Sequence, residues 1–148
     1  MSKKINLLET GNMLLAAQNI VLCCHVSPDG DTLGSALGLA RFLEKAGKKV
    51  TVFADDDINK SLNFIPGIEK VQRPEAGVIV EADLFVVVDA SSFDRVGICN
   101  EVVKAPVLLN IDHHISNTEF ADYLYLDAEA AAAGEIMCDL FEAMGWEY

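Results

Sequence analysis

The stretch Ile20-Val21-Leu22-Cys23-Cys24-His25-Val26-Ser27-Pro28-Asp29-Gly30-Asp31 decides how this chain folds. Residues 20–26 are a nearly unbroken apolar run, too short for a helix in this setting, and they read as a strand buried on both faces. Residues 27–31 then break the chain, and Asp31 stands where a helix would be capped. Residues 32–46 place Leu33, Ala36, Leu37, Ala40, Phe42 and Leu43 at helical spacing, and Gly47 ends the helix. An apolar strand, a sharp polar turn and an amphipathic helix form one arm of a parallel α/β unit.

The same alternation continues on both sides. The pattern predicts an amphipathic helix over 5–17, strands over 49–54, 83–89, 106–112 and 122–126, a short helix over 58–65 and a closing helix over 129–144. The strands are apolar throughout, so helices are expected on both sheet faces. The fold expected is a three-layer, doubly wound α/β domain with a mostly parallel five-stranded sheet. Residues 1–148 read as one domain, without internal repeats or a linker between units.

Composition narrows the function. The 148 residues include 23 acidic and 11 basic side chains, for a net charge of −12, and 51% are hydrophobic. So apolar a chain can offset its ordering entropy, which excludes disorder. The acid excess argues against a basic clamp on long nucleic acid, yet it permits a short phosphate ligand held through metal ions. Cys23, Cys24, Cys99 and Cys138 form no metal-type ladder and read as free thiols in a reducing cytoplasm. The N-terminal apolar run is broken by Glu9, Asn12, Gln18 and Asn19, which argues against a signal peptide. No stretch approaches the roughly 18 uncharged apolar residues of a membrane span. The expectation is a cytoplasmic protein with no membrane contact.

Three predicted strands end in acids or histidines. The first leads to His25, Asp29 and Asp31, the third to Asp89, and the fourth to Asp112, His113 and His114. In a parallel α/β sheet these ends share one edge, where ligand sites lie. Taken singly, each feature has an ordinary reading as a turn, a cap or a packed histidine. Taken together, carboxylates gathered at the end of an apolar sheet call for a cation. Mixed imidazole and carboxylate donors without thiolate favour Mn²⁺ first, with Mg²⁺, Co²⁺ or Fe²⁺ possible, and they suffice for two ions.

These residues also resemble a known family. His25 through Ser35 looks like the first motif of the DHH phosphoesterases, His-x-x-Pro-Asp-Gly-Asp-x-x-Gly-Ser, and Val86 through Ser92 looks like the second. Asn110-Ile111-Asp112-His113-His114-Ile115-Ser116-Asn117 looks like the motif that names the family. The first motif points to the branch with bacterial oligoribonucleases (nanoRNases), phosphatases of 3′-phosphoadenosine-5′-phosphate (pAp) and cyclic-dinucleotide phosphodiesterases.

The resemblance implies a manganese-dependent hydrolase of phosphoester bonds in short oligoribonucleotides, dinucleotides or pAp, with a two-metal, bridging-hydroxide mechanism. His25, Asp29 and Asp89 would hold one Mn²⁺; Asp31, Asp89 and His113 would hold the second. Asp112 would orient the imidazoles or the water network, and His114 would touch the scissile phosphate or assist the leaving group. Asn117 and Arg95 would position substrate. A homodimer is plausible on the same ground.

Two departures stand out. Residues 130–133 are all alanine, where the family usually carries Ser or Thr. The chain is also about half the family's length, so a C-terminal, substrate-binding DHH-associated domain and one further Asp ligand are expected to be missing. The expectation is therefore a catalytic domain, truncated and weak or inactive alone. The alternatives are a cyclic-dinucleotide phosphodiesterase, a pyrophosphatase-like enzyme, or a catalytically incompetent binding or regulatory module.

Overall fold

The structure is a computed structural model, and it describes residues 1–147. Its elements run β1 (Lys3–Lys4), α1 (Leu7–Ala16), β2 (Asn19–Cys23), α2 (Gly30–Lys45), β3 (Lys49–Phe53), β4 (Val80–Glu81), β5 (Leu84–Val88), α3 (Cys99–Val102), β6 (Val103–Lys104), β7 (Leu108–Asp112), β8 (Tyr123–Leu126) and α4 (Ala133–Met144). Single 3-10 turns occupy Lys60–Leu62, Ile68–Lys70 and Phe93–Val96.

The main sheet has order β1-β8-β7-β5-β2-β3, and every pairing in it is parallel. It contains six strands, not the five expected. The extra strand is Lys3–Lys4, two charged residues with no apolar signal, which pair with Tyr123 and Leu124 at the sheet edge. A separate ladder of β4 and β6 lies outside this sheet.

Successive strands step from β2 to β3 in one direction and from β5 through β7 to β8 in the other. Right-handed crossovers must then lie on opposite faces for the two directions. Ile20, Leu22, Val86, Val88, Leu109 and Ile111 accordingly pack with Leu14 of α1, Leu33 of α2 and Leu140 of α4. On the other face, Val21, Cys23, Phe85 and Val87 pack with Val96, Cys99 and Val102. That second layer is thin, because it is built from α3 and connecting segments rather than long helices.

The helix starts differ from expectation. Asp29, not Asp31, caps α2: its Oδ1 accepts from the Thr32 amide at 2.9 Å. Asp31 thus falls in the first helical turn. The predicted strand 20–26 ends at Cys23, so His25 sits in the loop beyond it. The closing helix begins at Ala133 rather than 129. The short helix expected over 58–65 is only the turn at Lys60–Leu62. Helix α1 is set by a capping box, in which Asn6 Oδ1 accepts from the Glu9 amide and Glu9 accepts from the Asn6 amide. Gly11 leaves the space that Met144 of α4 fills against α1.

Candidate metal centre

Strands β2 and β5 are neighbours at the point where the winding reverses. A crevice opens there at the carboxyl ends of the strands, the usual ligand position in such sheets. His25, Ser27, Asp29, Asp31, Asp89, Ala90, Ser91, Arg95, His113 and His114 line a cavity of about 550 Å³ at this edge. All three histidines of the chain face it.

Asp89 is the centre of the arrangement. Its side chain is 4% exposed, and its two oxygens point to different histidines: Oδ2 lies 3.5 Å from His25 Nε2, and Oδ1 lies 3.0 Å from His113 Nε2. Its backbone takes φ of 63°, in the left-handed region that a non-glycine residue enters at a cost. The bend is held from outside. The Asp89 amide donates to the Ile111 carbonyl, and the Asn110 side-chain amide donates to the carbonyls of Val87 and Ala90.

The other donors converge on the same place. His25 Nε2 is also 3.7 Å from Asp29 Oδ1, and His113 Nε2 is 3.7 Å from Asp31 Oδ2. Ligand atoms of His25, Asp29 and Asp89 lie within 4.8 Å of one another, as do those of Asp89, Asp112, His113 and His114. His25 Nδ1 stands 2.7 Å from the Val26 carbonyl, which can only accept, so Nδ1 carries the proton. In neutral His25 the Nε2 lone pair therefore faces two carboxylates.

This donor set fits a divalent cation. Hydrogen bonding to Asp89 raises the His25 pKa, against the opposing effect of burial. Burial pushes the Asp89 carboxyl up, and repulsion from Asp31 adds to it, while the His25 contact pulls it down. Both groups thus favour taking up positive charge here, as a proton or as a metal ion. The nitrogen and oxygen donors suit a hard or borderline ion.

Asp112 and Asn117 lie behind the cavity wall. Asp112 is fully buried; its Oδ1 is 2.6 Å from His114 Nδ1, and its Oδ2 accepts from the Asn117 side-chain amide at 2.8 Å. That same Asn117 amide reaches Asn110 Oδ1 at 2.7 Å, and its own Oδ1 accepts from the Glu119 amide. Asn117 is therefore occupied in holding the wall, whereas Arg95, the other residue expected to position substrate, does line the cavity. Asn110 is the supporting residue that the sequence reading missed. Its signal was present: a fully buried amide side chain within the apolar run 107–111 has to be paid for by hydrogen bonds.

Fold and site together define a parallel α/β domain that gathers carboxylates and imidazoles at the switch point of its sheet. The chain belongs to the DHH family: the family model for the DHH family, N-terminal domain, matches residues 19–148. It is 35% identical over 132 residues to a bifunctional oligoribonuclease and PAP phosphatase NrnA of Thermus thermophilus, covering 87% of this chain and 38% of that protein. It is 31% identical over 127 residues to a probable manganese-dependent inorganic pyrophosphatase of Exiguobacterium, covering 83% of this chain and 40% of that protein. The crystal structure of an exopolyphosphatase-related protein from Bacteroides fragilis superposes with a TM-score of 0.85 at 28% identity, over 95% of this chain and 44% of that one. The chain thus spans less than half the length of each of these relatives. Among the described residues, no helix is long and apolar enough to cross a membrane.

Proposed function

We propose that this chain carries the ion-binding part of a manganese-dependent phosphoesterase that hydrolyses phosphoester bonds of short nucleotides, such as oligoribonucleotides, dinucleotides or pAp. The observation that carries this reading is Asp89, whose two oxygens face two separate groups of donors, the geometry of a bridging ligand. His25 and Asp29 complete one group; Asp31 and His113 complete the other. The oligoribonuclease and PAP phosphatase name of the Thermus relative supports the substrate class. The manganese in the Exiguobacterium relative's name supports the ion.

When bound, divalent ions supply Lewis-acid stabilisation of developing phosphoryl charge and make water acidic enough to act as a nucleophile. The chain's own residues do the rest. Asp112 holds the proton on His114 Nδ1, so the lone pair of this cavity-lining imidazole is on Nε2. Protonated, Nε2 would donate to a leaving oxygen; neutral, it would accept from an attacking water. Arg95 lines the cavity and carries a guanidinium, a group suited to a phosphate oxygen away from the bond being cut. Substrate selection is assigned to surfaces in the length that the relatives have and this stretch lacks, as is one further carboxylate for the second ion. The free, buried thiols Cys23, Cys24 and Cys99 support a reducing, cytoplasmic setting.

Calorimetric titration with Mn²⁺ tests the reading. One firm site and one weaker site are expected, both abolished in Asp89→Asn. Hydrolysis of a dinucleotide, pAp and pyrophosphate is then compared with Mn²⁺ and with EDTA. Slow, Mn²⁺-dependent cleavage of the first two is expected. Absence of any Mn²⁺ binding overturns the proposal, and exclusive cleavage of pyrophosphate replaces it with the pyrophosphatase reading.

A further inference from the structure

Helix α4 begins without a cap of its own. The residue at its N-cap position is Ala132, which has no side chain to offer, and the preceding residues 130–131 are alanines as well. The amides of the first turn are nevertheless satisfied. Asp31, from the first turn of α2 and about a hundred residues earlier, accepts from the Ala133 amide through Oδ2 at 2.9 Å and from the Gly134 amide through Oδ1 at 2.9 Å. Ser35 Oγ stands 3.5 Å from the same Oδ1. At Gly134 a Cβ would come to 3.5 Å from Asp31 Oδ1, so the helix start lies directly on the carboxylate. The positive end of the helix dipole favours an anion at this place.

Asp31 Oδ2 is also 3.7 Å from His113 Nε2, inside the centre described above. We propose that the amides of Ala133 and Gly134 are positioning groups for Asp31, which serves at once as the tertiary N-cap of α4 and as an ion ligand, so that docking of α4 and ion capture stabilise each other. The proposal rests on the metal reading of the same centre. Its physical basis is simple. Each carboxylate oxygen has a second lone pair, so both amide bonds can persist while the ion is bound. The two amides fix the carboxylate's rotamer, and fixing a ligand's orientation raises its affinity for the ion. By linkage, the bound ion must hold the start of α4 to the same extent.

Two substitutions separate the contributions. Ala133→Pro removes one donor while suiting the site: proline is favoured at the first helical position, and Ala132 before it is extended, with φ −160° and ψ 160°. Asp31→Ala removes the cap itself. Hydrogen exchange read by mass spectrometry follows the peptide over 130–140, and calorimetry follows Mn²⁺ binding. In the ion-free protein, Asp31→Ala is expected to speed exchange at the start of α4 about tenfold, as for loss of an N-cap. In the parent protein, Mn²⁺ is expected to slow that exchange. Ala133→Pro is expected to keep its circular dichroism spectrum and to lose about tenfold or more in Mn²⁺ affinity. Exchange unchanged by Asp31→Ala overturns the cap, and ion binding that leaves exchange at α4 untouched overturns the linkage. If Ala133→Pro fails to fold, the parent exchange with and without Mn²⁺ decides the linkage. If the parent binds no Mn²⁺, the metal reading fails and the linkage with it, while the Asp31→Ala exchange still decides the cap.

Discussion

His114 Nδ1 lies 2.6 Å from Oδ1 of Asp112, a carboxylate with no exposure to solvent. An ionised carboxylate can only accept, so the contact places the proton of neutral His114 on Nδ1 and leaves the lone pair on Nε2. The contact is a local one, between residues only two apart, at the point where β7 ends with Asp112.

Replacing Asp112 by Asn is expected to release or reverse that tautomer, since the amide NH₂ can donate to Nδ1. Long-range proton–nitrogen spectra of the imidazoles should show Nδ1–H at His114 in the parent and a mixed or Nε2–H form in Asp112→Asn. The Mn²⁺-dependent cleavage of a dinucleotide proposed above should fall by about 10²–10⁴, the range for losing general acid–base function or its orientation. An unchanged tautomer would remove Asp112 from this role.

The left-handed backbone at Asp89 predicts a difference between two substitutions that both remove the carboxylate. Asp89→Gly relieves the strain of φ 63°, whereas Asp89→Ala retains it. In urea unfolding without metal, the glycine variant should be the more stable of the two by about 1 kcal/mol. Neither should bind Mn²⁺. Equal stability would mean that the bend relaxes once the carboxylate is gone.

At the opposite edge of the sheet, Asp83 Oδ2 accepts from the amides of Asn19 at 2.9 Å and Gln18 at 3.0 Å. These two bonds, the Asn19 one first, hold the exposed Asp83 carboxyl below its ordinary pKa. A lowered folded pKa means stability that is present above the unfolded value, about 3.9, and lost as pH falls through the folded value. Thermal unfolding of Asp83→Ala should therefore show a lower midpoint than the parent at pH 6. The gap should close as the pH drops below 4. A gap that stays constant with pH would assign it to packing rather than to the carboxylate.

The cysteines differ sharply in environment. Burial pushes the Cys24 thiol up to about 12 and raises Cys23 well above the ordinary value, whereas Cys138 is exposed on α4. Because the thiolate is the reactive form, a thiol reagent at pH 8 should modify Cys138 alone in the folded protein and all four cysteines after denaturation. Rapid modification of Cys23 or Cys99 in the native state would show that the thin sheet face opens readily.

Much of this protein was readable from its residues. Apolar runs such as 84–88 and 107–111 marked buried parallel strands, and the position of His25, Asp89 and Asp112–His114 at strand ends marked one functional edge, because a parallel sheet leaves no other place for them. Such patterns are local, or follow from a general rule of topology. Lys3–Lys4 was not legible as a strand, since two lysines owe their extended form to pairing with β8 and not to any preference of their own. Nor was the start of α4: its cap comes from Asp31 of α2, packed beside it on the same sheet face by folding, so nothing near residue 133 announces it. The same holds for Asn110 and Asn117, whose task is to hold a bend in another strand and a carboxylate behind a histidine. Sequence determined which side chains reach the edge and what chemistry they carry. Tertiary structure alone decided which face one another, because hydrogen bonds and ion sites depend on distances of a few ångströms between residues far apart in the chain.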